Sequence, residues 1–214
     1  MNGIVTWLLV TLLSLFAWSS PTFAAEPQAG RDFTVINPPL ETPKGKIEVI
    51  EFFSYGCSHC NDFHPVISQW AAALPKDVSF RRVPVSFNRA EWQRLSRIYF
   101  TLELTGDLAK LDAAVFDAIH KERVSFKTDE AVVAWATGKG ADAKKFADTM
   151  ASFSMQSKVV RADKESSAAQ IKGVPAIVVD GKYLLNNEAT ANFGDLLKLT
   201  DSVIAKARQE RKGK

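Results

Sequence analysis

Hydrophobic positions along this chain change period several times, and each change marks an element. The run Ile47–Phe53 is apolar at nearly every position rather than every second one, which suits a strand covered on both faces. Ahead of it, Asp32-Phe33-Thr34-Val35-Ile36 alternates like a short strand before the turn-rich Asn37-Pro38-Pro39, and residues 43–46 make a second turn. Beyond it, Phe63, Ile67, Trp70 and Leu74 recur at helical spacing, so residues 61–74 predict a helix. Pro65 inside that helix lacks an amide and meets the carbonyl of Asn61, so a kink is expected there. Residues 78–83 read as another strand, closed by Pro84.

About ninety residues separate that strand from the next strong one, Ala176–Val179, far more than one crossover helix needs. The interval reads as several helices. Leu95, Ile98, Tyr99 and Leu102 form one apolar face, and Leu108, Leu111, Val115 and Ile119 form another. Thr128 and Asp142 are N-cap candidates for two more, separated by Gly138-Lys139-Gly140, and a further helix covers residues 154–171. Asp180-Gly181 is a hairpin signal that pairs Ala176–Val179 with residues 182–185 antiparallel. A final helix from Asn192 carries Leu196, Leu199, Val203 and Ala207 on one face. The expected architecture is an α/β core, residues 25–84 and 172–214, with an all-helical insertion at 85–171. A strand–helix–strand crossover followed by a hairpin and a closing helix matches the thioredoxin fold.

Composition adds little to this until the N-terminus. With 46% hydrophobic and 24% charged residues the chain can bury a sizeable core. A net charge of +3 without a basic, aromatic-rich patch argues against nucleic acid. The basic C-terminal set Lys206, Arg208, Arg211, Lys212 and Lys214 reads as a solvated helix end. Residues 4–18 are different: uncharged, rich in Leu, Val, Ile, Phe and Trp, and short for a bilayer span. With Thr22-Phe23-Ala24 offering small residues at the cleavage positions, residues 1–24 predict a secretory signal, an uncleaved anchor being the rival reading. Export places the rest of the chain where disulfides form and persist.

That matters because the chain's two cysteines, Cys57 and Cys60, are spaced Cys-x-x-Cys between an apolar strand and a helix. A thiol at a helix start is acidified by unpaired amides and the helix dipole, which favour the reactive thiolate. Residues three apart on a helix are neighbours, so the two sulfurs come within bridging reach. A bridge closing so short a loop stabilises little, so making and breaking the bond explains the pair better than a structural staple. A metal site is the rival chemistry: Cys57, Cys60 and His64 share one helical face with His59 adjacent, but no second ligand cluster accompanies them. The c-type haem signature fails because Asn61 follows Cys60.

Four features together resemble the DsbA family of periplasmic thiol:disulfide oxidoreductases, within the thioredoxin superfamily. They are Glu51-Phe52-Phe53 leading into Cys57-Ser58-His59-Cys60, the helical insertion, Gly173-Val174-Pro175 before a strand, and the export signal. The resemblance implies an exported dithiol oxidase, without a cofactor, that passes its Cys57–Cys60 disulfide to newly exported proteins. A DsbB-like membrane partner would reoxidise it, and the protein would act as a monomer. Cys57 resembles the nucleophile, Cys60 the buried resolving partner, and His59 the residue that stabilises the Cys57 thiolate. Ser58 departs from the family's usual proline, which bears on the redox potential. Pro175 is expected to be cis, with the Val174 backbone free to pair with an extended substrate strand.

Glu51 is a carboxylate set among apolar residues of the strand, so it must be protonated or paired, and it could exchange protons with Cys60 through water. Tyr55, beside Gly56, is a candidate border of a substrate groove, whereas His64 and His120 read as ordinary helix-surface or core-edge histidines. Two functional classes stay open from the residues: a thiol–disulfide enzyme, whether oxidase, reductase or isomerase, and a binding module that uses the same pair for metal or the groove as a chaperone.

Overall fold

The computed structural model describes residues 26–213; the expected signal, residues 1–24, lies outside them. Five strands form one sheet: β1 (Phe33–Val35), β2 (Ile47–Phe53), β3 (Val78–Pro84), β4 (Ala176–Val179) and β5 (Tyr183–Leu185), in the order β1-β5-β4-β2-β3. β2 and β3 run parallel, and the other pairs are antiparallel. β2 is an interior strand and every one of its residues is buried, Glu48 and Glu51 included.

Helix α1 (Ser58–Ala72) follows β2, and α7 (Phe193–Lys212) ends the described chain. Phe63 and Ile67 of α1 and Leu196 and Val203 of α7 join Val49, Ile177 and Val179 in the core of one sheet face. α1 runs unbroken through Pro65 and begins at Ser58, three residues before the predicted start. Between β3 and β4 lie α2 (Ala90–Thr105), α3 (Leu108–His120), α4 (Asp129–Gly138), α5 (Ala143–Met150) and α6 (Phe153–Ala168). Their apolar faces share one continuous cluster with Ile50, Phe52, Val83 and Val178, so the helical segment is the roof of the other sheet face.

Local chemistry sets the boundaries. Thr128 caps α4 through a bond from Ala131 N, Asp142 caps α5 from Lys145 N, and Asn192 caps α7 from Asp195 N. Asp180 (φ 55°) and Gly181 (φ 65°) turn β4 into β5, both left-handed as a type I′ hairpin demands. At Gly181 a Cβ would stand 2.5 Å from the Leu40 carbonyl oxygen, so the site also excludes side chains on space. The basic C-terminal set corrects the expectation of a merely solvated end: Arg208 bonds Asp77 at 2.7 Å, Arg211 bonds Asp180, and Lys206 reaches Glu26 at 3.2 Å, clipping α7 to the sheet's loops.

Candidate active site

Cys57 is the N-cap residue of α1, in extended backbone geometry with no oxygen side chain to accept from the first-turn amides. An N-cap oxygen normally takes the N–H groups two and three residues on. Here the sulfur holds that place, and those amides belong to His59 and Cys60. The turn before it is pinned by Cys57 N donating to the Ser54 carbonyl (3.1 Å) and Gly56 N to Ser54 Oγ (3.2 Å). Both cysteines are free thiols; Cys57 is half-buried and Cys60 is fully buried.

Their environments split the pair. Cys57 is lowered from 9.0 to about 6, first by the hydrogen bond from the Cys60 thiol, then, against some burial, by the Cys60 and His59 amides and the His59 charge. Burial pushes Cys60 far up, helped by its bond to Cys57. One sulfur is therefore an accessible thiolate near neutral pH and the other a protonated reserve. Ser58 and His59 are exposed at the helix start. Across from them, the Cys57 thiol donates to the Val174 carbonyl at 3.3 Å, and the Val174–Pro175 peptide is cis; so is Asn37–Pro38. Asn187, unremarked in the sequence, donates to the Pro175 carbonyl at 2.7 Å and closes that loop from behind.

Glu51 is wholly buried beneath the pair, opposite Arg82 in the parallel β2–β3 register. Arg82 Nε donates to Glu51 Oε2 at 2.7 Å, its Nη1 donates to Asp112 Oδ2 at 2.6 Å, and its guanidinium lies 3.7 Å over the Phe53 ring. Burial nonetheless raises the Glu51 carboxyl, ahead of the opposing pull of Arg82, with the Cys57 charge adding to the rise. Glu51 Oε1 and Arg82 Nη2 are buried without a protein partner, which leaves polar capacity under Cys60 for a proton carrier such as water.

Tyr55 corrects the sequence expectation. It is 1% exposed, its hydroxyl donates to Asp112 Oδ1 at 2.5 Å, and its ring packs against Phe53 and Phe116, so it cannot border a groove. Its aromatic body was needed by the core more than by the surface, and Asp112 supplied the partner its hydroxyl requires when buried. The two histidines read as ordinary are tied to the same turn: His120 Nε2 donates to the Tyr55 carbonyl at 2.8 Å, and His64 stands 3.5 Å from Asp112 on the Phe116 ring. His64 thus faces a carboxylate, and among the described residues no group of three or more His, Cys, Asp or Glu side chains is placed to hold a metal. Sequence reasoning missed Arg82, Asp112, His120 and Asn187. A signal for Arg82 existed: a carboxylate inside one apolar strand and an arginine inside its neighbour.

Comparison with known proteins agrees with this arrangement. The family model for the DSBA-like thioredoxin domain matches residues 48–198. The thiol:disulfide interchange protein DsbA of Pseudomonas aeruginosa is 36% identical over 213 residues, covering 99% of this chain and 100% of its own. The protein of the same name from Bordetella pertussis is 38% identical over 189 residues, covering 87% and 89%. The crystal structure of Pseudomonas aeruginosa DsbA superposes with a TM-score of 0.83 at 37% identity, covering 87% of this chain and 97% of that one. The chain therefore belongs to the DsbA family of thiol:disulfide oxidoreductases.

Proposed function

We propose that this protein is an exported dithiol oxidase whose Cys57–Cys60 disulfide passes to newly exported proteins. The observation that carries the direction of transfer is the split pair: Cys57 acidified to about 6 at the helix N-cap, Cys60 buried and held protonated. A stabilised thiolate favours the reduced enzyme, and so makes the oxidised enzyme the stronger donor of a disulfide.

In the reaction a substrate thiolate attacks Cys57 Sγ, the Cys57–Cys60 bond breaks, and Cys60 leaves with the electron pair and takes up a proton. The second substrate thiolate then attacks the substrate sulfur of this mixed disulfide and expels Cys57 as thiolate. Two electrons have moved from substrate to enzyme. Glu51, raised and beneath Cys60, is the group suited to supply and recover that proton through water. His59 stabilises the thiolate that leaves. Ser58, exposed beside it, sets how strongly that thiolate is held. The Val174 backbone, released from its bond to Cys57, pairs with an extended substrate strand beside Pro175. A DsbB-like membrane partner removes the two electrons. The relatives' activity, the apolar segment at residues 4–18 and the small residues before Ala25 support a periplasmic protein acting after export.

Oxidation of a reduced dithiol peptide tests the reading: the disulfide form should turn it over, and Cys57→Ser should abolish turnover. The glutathione equilibrium tests the direction. A potential as low as thioredoxin's, about −270 mV, would make the protein a reductase instead.

A further inference from the structure

We propose that the groove between α2 and the loop following α3 docks acidic stretches of the substrate polypeptide, giving this oxidase a preference by charge; the inference rests on the oxidase reading above. The groove has a volume of about 760 Å³ and opens beside Gly56, the residue before Cys57. Arg89, Arg94, Arg123 and Lys127 line it, against one carboxylate, Glu91. Among the described residues, Arg89, Arg123 and Lys127 have no carboxylate within salt-bridge distance, and Arg94 stands 3.6 Å from an Asp129 that Arg97 already holds at 2.7 Å. Over the whole chain basic and acidic residues nearly balance, 27 to 24, so this excess is local.

Beneath the cations the lining is apolar. Trp92 and Phe126 line the groove with Leu95 and Ile119, and the Arg89 guanidinium lies 5.1 Å over the Trp92 ring. Such a surface accepts an aromatic or aliphatic side chain with carboxylates around it, in the manner of an anchor inside a polar rim. Trp92 and Leu95 also abut the active-site turn: a Cβ on Gly56 would stand 3.0 Å from each. The second groove beside the pair, about 470 Å³ around Val174 and Pro175, is lined by one cation and one carboxylate, Lys172 and Glu188, and so supplies no such discrimination. A polypeptide whose cysteine lies at Cys57 therefore meets a neutral backbone-pairing surface on the Val174 side and a cationic, aromatic one on the Gly56 side.

The test uses full-length mature protein and two dithiol peptides that differ only in flanking residues, Asp/Glu or Lys, each with one Trp. The acidic peptide should be oxidised at least about tenfold faster in kcat/KM, a difference of about 1.4 kcal/mol that shrinks as salt is added. Arg123→Glu/Lys127→Glu should invert the order, while Lys44→Glu/Lys46→Glu, the same charge change at the far end of β2, should keep it. Binding of serine-for-cysteine versions of both peptides reads the groove without exchange chemistry, and reaction of the wild type with glutathione reads exchange without the groove. Equal binding of the two peptides, or an equal shift by the Lys44/Lys46 control, overturns the proposal. Loss of dithiol turnover with the binding preference kept would overturn the oxidase reading alone.

Discussion

Replacing Arg82 with Met removes one cation from between two carboxylates. Arg82 donates to Glu51 at 2.7 Å and to Asp112 at 2.6 Å, and methionine refills most of the space over Phe53, so the change is chiefly one of charge. Asp112 keeps Tyr55 and some solvent, whereas Glu51 is left buried with no cation. Breaking a buried pair from one side costs about 3–5 kcal/mol, and two charge-assisted hydrogen bonds at about 1.5–3 kcal/mol each bracket the same figure. For a domain of this size the expected fall in Tm is about 6–20 °C. The sign of the pH dependence follows from Glu51. Its carboxyl is already raised above 4.5 by burial, and without Arg82 it rises further. The folded state then binds the proton more tightly than the unfolded one, so stability falls as pH climbs from the unfolded value toward the folded value. The deficit of Arg82→Met should be greatest at neutral pH and shrink in acid, and Glu51→Gln/Arg82→Met should recover most of it. Urea unfolding of the reduced proteins across pH measures this. A neutral-pH deficit under about 1 kcal/mol, or a double variant no better than the single, would refute the reasoning.

Cys60→Ala removes the leading cause of the acidic Cys57 and should move its titration up from about 6 by roughly 1–2 units, read from the pH dependence of alkylation; His59→Ser should move it less, because its charge acts from an exposed position. Because the folded Cys57 value lies below its ordinary 9.0, its contribution to the reduced protein is full above that value and is lost as pH falls through about 6. Denaturant midpoints of reduced and oxidised protein should accordingly converge in acid, and Cys57→Ser, which forms no disulfide, should lack the acid loss of stability that the reduced wild type shows near pH 6. Thr128→Ala should cost about 1 kcal/mol through the lost cap on α4, with activity kept.

What could be read from sequence was what short-range pattern determines. Ile47–Phe53 is a strand because its apolar run has no wet face, and Thr128, Asp142 and Asn192 begin helices because their side chains reach amides three residues on. Cys57 was legible for the same reason, since its neighbours in sequence are what acidify it. Tyr55, Asp112 and His120 were not: they meet across 57 and 65 residues of chain, where no spacing rule applies. Arg82 falls between the two cases. That Glu51 needed a proton or a partner was visible, but the partner depended on the β2–β3 register.

The hold of α3 on the turn before Cys57 has an engineering consequence. Asp112 grips Tyr55 and Arg82, and His120 grips the Tyr55 carbonyl, so the reactive loop has one foot in each part of the chain. A chimera that exchanged the helical segment for a foreign one would strand β3's arginine beside Glu51 and release the turn that aims Cys57. Transplants between relatives must therefore move Arg82, Tyr55 and α3 as a single cassette, and loop grafts limited to Ser58 and His59 are the smallest edits that leave it whole.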